Sequence, residues 1–381
     1  MGAIEIVEVE STSQLKKFIT LPNKLYGDDP NFVSHLLSER LEFFDKKKNP
    51  FYRYARTNLI MARRDGELVG RIATCINFTH NEVHAEKAGF FGFFDCIDDF
   101  EVASTLLKVA MINLKKEGME IMRGPMNFST NHECAFLIEG FDSPPVVMMP
   151  YNPPYIPRLA EQFGLKKAVD LVAYKLTKGT GISQRISGVV DRLMKRSNIS
   201  IRPINMKDFD NELDRVNEIY NSAWEQNWGF VPLYEDEFRY TAKNLKQVLD
   251  PDLALIAEHE GKPVAFLLSL PDINQALIHL NGRLFPTGLI KLLWHTKVRN
   301  KIDGIRVITL GVIPEYQRRG IDSMLYTHIF NKGVEKGYRW AELSWILEDN
   351  ELMRSAADQM GAHVYKRYRI METPLYTVAP S

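Results

Sequence analysis

The stretch IRVITLGVIPEYQRRGIDSMLY, Ile305 to Tyr326, decides how this chain is read. Its first part, Ile305 to Val312, is apolar and rich in β-branched residues, the mark of a buried strand. Pro314 stops that strand, because proline has no N–H to give to a ladder. Gln317-Arg318-Arg319-Gly320 follows, and the apolar residues Ile321, Met324, Leu325, Ile329 and Phe330 then fall at helical spacing. A strand therefore runs through a basic, glycine-containing loop into a helix.

That order of elements favours an anion. Unpaired N–H groups and the positive end of the helix dipole converge on the loop. Gly320 allows a ligand close to the backbone, and Arg318 and Arg319 add charge and donors. A solvated basic turn is the plainer reading, since one glycine loop is a weak signal. The spacing Val312-x-Pro314-x-x-Gln317-x-x-Gly320, however, closely resembles the acyl-CoA-binding motif of the GNAT N-acyltransferase superfamily. The resemblance implies that the amides of Gln317, Arg318, Arg319, Gly320 and Ile321 hold the pyrophosphate of coenzyme A. It also implies that the preceding strand parts from its neighbour, so that Leu310, Gly311 and Val312 hold the pantetheine arm through free backbone groups. Asp322 stands where the family has a small residue. An aspartate there suits the helix dipole but repels a diphosphate unless it points away.

The 381 residues suggest two domains. Lys+Arg and Asp+Glu both number 48, so no overall charge argues for nucleic acid. Cys75, Cys96 and Cys134 are odd in number and widely spaced, which speaks for a reducing compartment and against a disulfide framework or a metal site. The expectation is a cytoplasmic protein: the start MGAIEIVEVES has no signal-peptide pattern, position 6 lacks the Ser or Thr of the myristoylation pattern, and no run of 18 apolar residues occurs.

The two halves read alike. ARRDGELVGRIA aligns with AEHEGKPVAFLL and RLAEQFGLK with SAADQMGAH, at offsets of 195 (Gly66 to Gly261) and 197 (Gly164 to Gly361). Near-constant offsets indicate duplication. The reading is an α/β (α+β) fold of two tandem GNAT-like domains, 1–178 and 179–381, each a mixed, mostly antiparallel central sheet flanked by helices. Lys178-Gly179-Thr180-Gly181 reads as the linker. The first half has FFDCIDDFEVASTLL where the second has VIPEYQRRGIDSMLY. It lacks the arginines and the loop glycine, and is read as a degenerate domain that shapes the acceptor site.

Amide formation from a thioester needs a base for the amine, a stabiliser for the oxyanion and an acid for the thiolate. The tyrosine that serves many GNAT enzymes as acid lies four residues before the glycine ending the last helix, and that position is Ala357 here. The asparagine eleven before the glycine is present as Asn350, and the resemblance implies that it meets the cofactor arm. Strand alternation puts Glu342 and Ser344 on one face, away from Leu343 and Trp345. Glu342 and Glu348 are the candidate proton acceptors; for Glu348, Asp349 and Asn350, a solvated loop with a helix cap is the structural alternative. Trp224, Asn227 and Trp228 suit an amphipathic acceptor; Trp224 and Trp228, four apart, also fit a helical core stripe. In the first half Asn127, His132 and Tyr151 sit among rigid prolines and amides as a candidate acceptor surface, with His132 as base or as a structural histidine.

The insertion 283–301 is apolar and basic together, as interfacial helices are. A helix packed on the sheet with an exposed basic face is the plainer reading of it. The function expected is transfer of an acetyl or longer acyl group from acetyl-CoA or a longer acyl-CoA to an amine of a small or amphipathic acceptor, without a metal. A lipid-amine acyltransferase in weak peripheral contact with the inner face of the membrane, a Fem-like aminoacyl transferase and a non-catalytic acyl-CoA-binding protein are the alternatives.

Overall fold

The computed structural model describes residues 2–179, 182, 184–224, 227–283, 288 and 302–375. The chain forms two compact units, each with a mixed sheet flanked by helices. Met1–Asp170, Leu277–Leu293 and Lys366–Ser381 make up one; Leu171–Ala276 and Trp294–Tyr365 make up the other.

In the first unit β1 (Ile4–Glu8), β2 (Ala55–Arg64), β3 (Glu67–Asn77), β4 (Ala88–Cys96) and β5 (Ile121–Gly124) lie in that order. All neighbours are antiparallel except β4 and β5. The turn between β2 and β3 is Asp65-Gly66, both with positive φ (51° and 83°). That conformation suits the twist of a two-residue hairpin, and Asp-Gly adopts it at low cost. The helix Phe100–Lys116 covers one face: Asp99 caps it, accepting from the Glu101 amide at 2.8 Å, and Leu106, Leu107, Ala110 and Leu114 join Ile60, Ile72 and Phe91 in the core. Each of these Leu, Ile and Phe side chains contributes roughly 1.5–3 kcal/mol on burial.

The second unit repeats the plan with β8 (Ile199–Pro203), β9 (Ala254–His259), β10 (Lys262–Pro271), β11 (Gly304–Val312) and β12 (Trp340–Leu347). Glu260-Gly261 forms the matching hairpin turn, with φ of 52° and 78°. β11 and β12 are the parallel pair. Ile321, Leu325 and Ile329 of the helix Ile321–Glu335 pack on Val264, Leu267, Ile305 and Val307.

Each sheet is completed by a strand from the other half of the sequence. β6 (Phe136–Glu139) and β5 both pair with β13 (His363–Pro374), from Arg367↔Glu139 to Pro374↔Ile121. β12 pairs with β7 (Lys166–Thr177), from Trp340↔Thr177 to Leu347↔Leu171. β7 and β13 are repeat equivalents, each following a helix that ends at a left-handed glycine, Gly164 or Gly361. The last strands of the repeat are exchanged.

The apolar pattern of the sequence predicts helices over Ser13–Phe18 and Val33–Phe44, and the structure differs at both. Thr12–Tyr26 runs through Pro22 instead of ending near Phe18. Pro22 cannot donate to the Phe18 carbonyl, but the guanidinium of Arg71 does, at 2.7 Å, and Asp95 holds that guanidinium in turn at 2.7 Å. A tertiary donor replaces the missing helical one. The helix expected from Val33 begins only at Leu37, whose amide donates to the Gly282 carbonyl at 3.0 Å. The short helix Phe78–His84, capped by Asn77, was not legible in the hydrophobic pattern.

The parallel pair of the first unit is sealed beyond its last register pair, Phe90↔Arg123. The Met126 amide donates to the Phe91 carbonyl at 2.7 Å, and Asn127 Oδ1 accepts from the Phe93 amide at 2.8 Å. Gly92 makes this approach possible, since a Cβ there would lie 1.9 Å from the Met126 carbonyl oxygen. Gly92→Ala should therefore destabilise the protein by about 2 kcal/mol or more in denaturant unfolding, because the colliding atom is backbone. A change below about 0.5 kcal/mol, the scale of a neutral surface substitution, would show that the loop is not fixed there.

Candidate active site

In the second unit the parallel pair opens. β11 pairs with β12 only from Gly304↔Trp340 to Val307↔Leu343, while its other edge stays on β10 as far as Val312. Among the described residues, the backbone groups of β11 beyond Val307 that point away from β10 have no strand partner. Leu310, Gly311 and Val312 all lie on this one-sided stretch.

The stretch leads into the basic loop. Pro314–Tyr316 forms one turn of 3-10 helix, Arg318 and Gly320 both take left-handed conformations (φ 60° and 76°), and Gly320 opens the helix without a side-chain cap. The amides of Ile321 and Asp322 are thus presented at a helix N-terminus beside exposed Gln317, Arg318 and Arg319. Gln317 Nε2 ties the loop back to the Val312 carbonyl at 3.2 Å. Arg319 stacks on Tyr316 with its guanidinium 4.7 Å from the ring centre, and the Tyr316 hydroxyl bonds His259 Nδ1 at 2.9 Å.

Where the strands part, a buried polar network joins them. Arg306 Nε donates to Ser344 Oγ at 2.9 Å, Ser344 Oγ donates to Glu342 Oε1 at 2.5 Å, and the Tyr365 hydroxyl donates to Glu342 Oε2. Arg306, Glu342 and Ser344 are almost wholly buried, at 2%, 0% and 4% exposure. Arg306 lies opposite Glu342 in the parallel register, so a charge inside the sheet meets its counter-charge on the neighbouring strand. Arginine inside a β-branched run was the sequence signal for this network; Arg306 and Tyr365 were not among the expected site residues.

Two bulges shape the opening. On β11, Thr309 stands opposite Leu268 and Val307 opposite Ser269, so Ile308 is an extra residue. On β12, Leu343 stands opposite Tyr174 and Ile346 opposite Val172, which inserts one residue at Ser344 and Trp345. The second bulge corrects the expected alternation. Trp345 does not turn away from Glu342 and Ser344; its ring lies under the Arg306 guanidinium at 5.2 Å. A bulge breaks the two-residue period that the alternation assumed.

The other expected residues have these places. Glu348 is half-buried, and its carbonyl accepts from Arg354 Nη1 at 2.7 Å. Asn350 is the N-cap of the helix Glu351–Gln359, accepting from the Met353 amide at 3.1 Å. Ala357 is buried in the core. Asn227 and Trp228 are half-buried beside buried Phe230 and Val231. The side chain of Trp224 lies outside the described residues, as do 180, 181, 284–287 and 289–301, so half of the expected linker and most of the insertion are not placed. Burial pushes the Glu237 carboxyl up to about 8, from an ordinary 4.5.

In the first unit Asn127 and His132 belong to one cluster. Asn127 Nδ2 donates to Glu133 Oε2 at 3.0 Å, and Arg40 donates to the other carboxylate oxygen. Burial raises the Glu133 carboxyl, but Arg40, His35 and Asn127 together outweigh it and hold it near 2. His132 bonds Ser129 Oγ at 3.1 Å and meets Phe43 and Phe51 edge-on, so burial lowers its imidazole to about 4. Tyr151 lies apart from them, donating to Asp29. Among the described residues no three His, Cys, Asp or Glu side chains are placed to hold a metal ion, and no helix is long and apolar enough to cross a membrane.

The model of the acetyltransferase (GNAT) family matches residues 213–362, which contain the opened strand pair and the loop. The chain is 38% identical over 365 residues to Protein YghO of Escherichia coli K12, covering 94% of this chain and 93% of that protein. It is 36% identical over 381 residues to a bacterial ceramide synthase of Caulobacter vibrioides, covering 98% of each. In fold it is similar to a tandem GNAT protein from the clavulanic acid biosynthesis pathway, with a TM-score of 0.58 at 11% identity over the whole of both chains.

The buried histidines make a pH prediction. Burial lowers His80 as well as His132 to about 4, from an ordinary 6.5. Between those values the unfolded chain binds the protons and the folded one does not, so stability rises with pH across that window and is lost as pH falls from 6.5 towards 4. Thermal melts at pH 7, 6 and 5 should show this decline. His132→Phe, which binds no proton, should flatten the slope; an unchanged slope would show that His132 titrates normally.

Proposed function

We propose, because this chain belongs to the GNAT family of acetyltransferases, that it transfers an acyl group from an acyl-CoA thioester to the amine of an amphipathic acceptor. One observation carries the reading: β11 is paired on one edge only past Val307 and runs straight into the left-handed Arg318–Gly320 turn. Unpaired strand amides suit an amide-bearing arm such as pantetheine. The uncapped helix start and the two arginines suit a pyrophosphate.

In this reading the amine attacks the thioester carbonyl in the opening between β11 and β12. Strand N–H groups there stabilise the oxyanion. As the C–N bond forms, the amine gives its proton through Ser344 Oγ to Glu342. The C–S bond then breaks, and the thiolate of coenzyme A takes a proton from solvent, since Ala357 supplies none. Tyr365 and Arg306 hold Glu342 and Ser344 in place.

The likeness to a bacterial ceramide synthase over nearly the full length supports a long-chain amine as acceptor, ceramide being the N-acyl derivative of a long-chain amino alcohol. The sequence of 283–301, basic and apolar together, fits an acceptor met at an anionic membrane surface, where each Lys or Arg is worth about 1 kcal/mol. The first unit takes no cofactor in this reading, because Met126 and Asn127 fill the equivalent gap.

Calorimetry should give one coenzyme A per chain, and Arg319→Ala combined with Gly320→Asp should weaken that binding by about tenfold or more. A stoichiometry of two, or unchanged affinity, would move the cofactor elsewhere.

Glu342→Gln should lower kcat by about 10²-fold or more while coenzyme A binding stays within twofold of about wild type. A wild-type rate would return the Arg306–Ser344–Glu342 network to a purely structural role.

A further inference from the structure

Among the described residues, two donors at the opening have no partner. Thr309 Oγ1 and Trp345 Nε1 are both shielded from solvent and neither makes a hydrogen bond. Buried donors are nearly always paired, so two orphans at one place call for a ligand. Their place is set by the register. Val307 and Leu343 are the last paired residues of β11 and β12. Thr309 and Trp345 each lie two residues further along their own strands, on the two sides of the gap.

They also share a face. Thr309 stands opposite Leu268, which packs with Val216 and Tyr220 of the helix Phe209–Trp224. Gly311 is on the same side, since a Cβ there would meet Ala223 Cβ at 3.3 Å. Trp345 reaches that face through its bulge, under Arg306. This is the face of Ser344 and Glu342, opposite the helix Ile321–Glu335 that packs under the cofactor loop. An acceptor approaching Ser344 thus meets both orphan donors.

We infer that Thr309 and Trp345 bind an oxygen carried by the acceptor beside its reacting amine, so that the acceptor is an amino alcohol and not a plain amine. The inference rests on the acyl-transfer reading above. A hydroxyl fits the pair: it accepts from the indole N–H, which only donates, and exchanges a hydrogen bond with the threonine hydroxyl, which does both. The amine donates to Ser344 Oγ, whose own proton is held by Glu342, while the neighbouring hydroxyl meets Thr309 and Trp345 on the same face.

The test uses the full chain, one acyl-CoA, and two acceptors of equal chain length: a long-chain 2-amino alcohol and the alkylamine lacking its hydroxyl. Wild type should prefer the amino alcohol by about tenfold or more in kcat/KM, as sites built to bond a hydroxyl do. Thr309→Val, nearly isosteric, and Trp345→Phe should each remove most of that preference. The plain amine should keep its rate within about twofold, the loss being that of one neutral hydrogen bond. Coenzyme A affinity, measured by calorimetry on the same variants, should not move. Equal use of both acceptors by wild type, or equal loss on both in the variants, overturns the inference and leaves acyl transfer standing. If wild type binds coenzyme A but acylates neither acceptor, the acyl-transfer reading falls and this inference with it.

Discussion

A guanidinium buried inside a sheet has to be matched, and at Arg306 the match comes from the next strand. Ser344 takes its Nε–H, Glu342 supplies the counter-charge, and Tyr365 closes the carboxylate from the other side. Removing one member of such a buried set typically costs about 3–5 kcal/mol, so the register Arg306↔Glu342 is strongly specified. The pairing ends one residue later. The bulges at Ile308 and at Ser344–Trp345 then turn Thr309, Gly311 and Trp345 onto the face of the network. Opening, proton acceptor and orphan donors are thereby brought to one level of the sheet.

The two halves show how one plan serves two ends. Both have the hairpin with a left-handed acidic-Gly turn, the parallel pair and the covering helix. In the first unit a Gly at position 92 lets the backbone of Met126 come within hydrogen-bonding distance of β4, and the gap is filled by the chain itself. In the second, among the described residues, no strand segment returns to the β11 edge beyond Val307, and only the Val312 carbonyl is taken, by Gln317. The exchange of β7 and β13 follows from the same repetition. An exchanged equivalent strand meets a sheet edge much like its own, which is why swapping of identical elements is a low-cost rearrangement.

Legibility varied with the range of the interaction involved. The turns Asp65-Gly66 and Glu260-Gly261, the loop Gln317–Gly320 and the helix beyond it are local, and their residues announce them. The helix through Pro22 was hidden because the donor replacing the lost N–H, Arg71, lies about fifty positions away in the sequence. The side taken by Trp345 was misread because alternation holds only without a bulge. Asn350 could be read as a cofactor contact or a cap from its position alone, and the backbone places it on the Met353 amide. Glu342 was read by alternation without the arginine that explains it, since no pattern along the chain couples 306 to 342.

By itself the sequence determined the internal repeat, a tandem α/β fold, and a basic glycine loop between a strand and a helix. All of these rest on local propensity, period and short motifs. Only the tertiary structure decided which strand completes each sheet, which of the two parallel pairs stays open, and which buried polar groups meet there. Those outcomes depend on register and on bulges of one residue. A slip of one residue moves every following side chain to the other face, and nothing in the local composition records it.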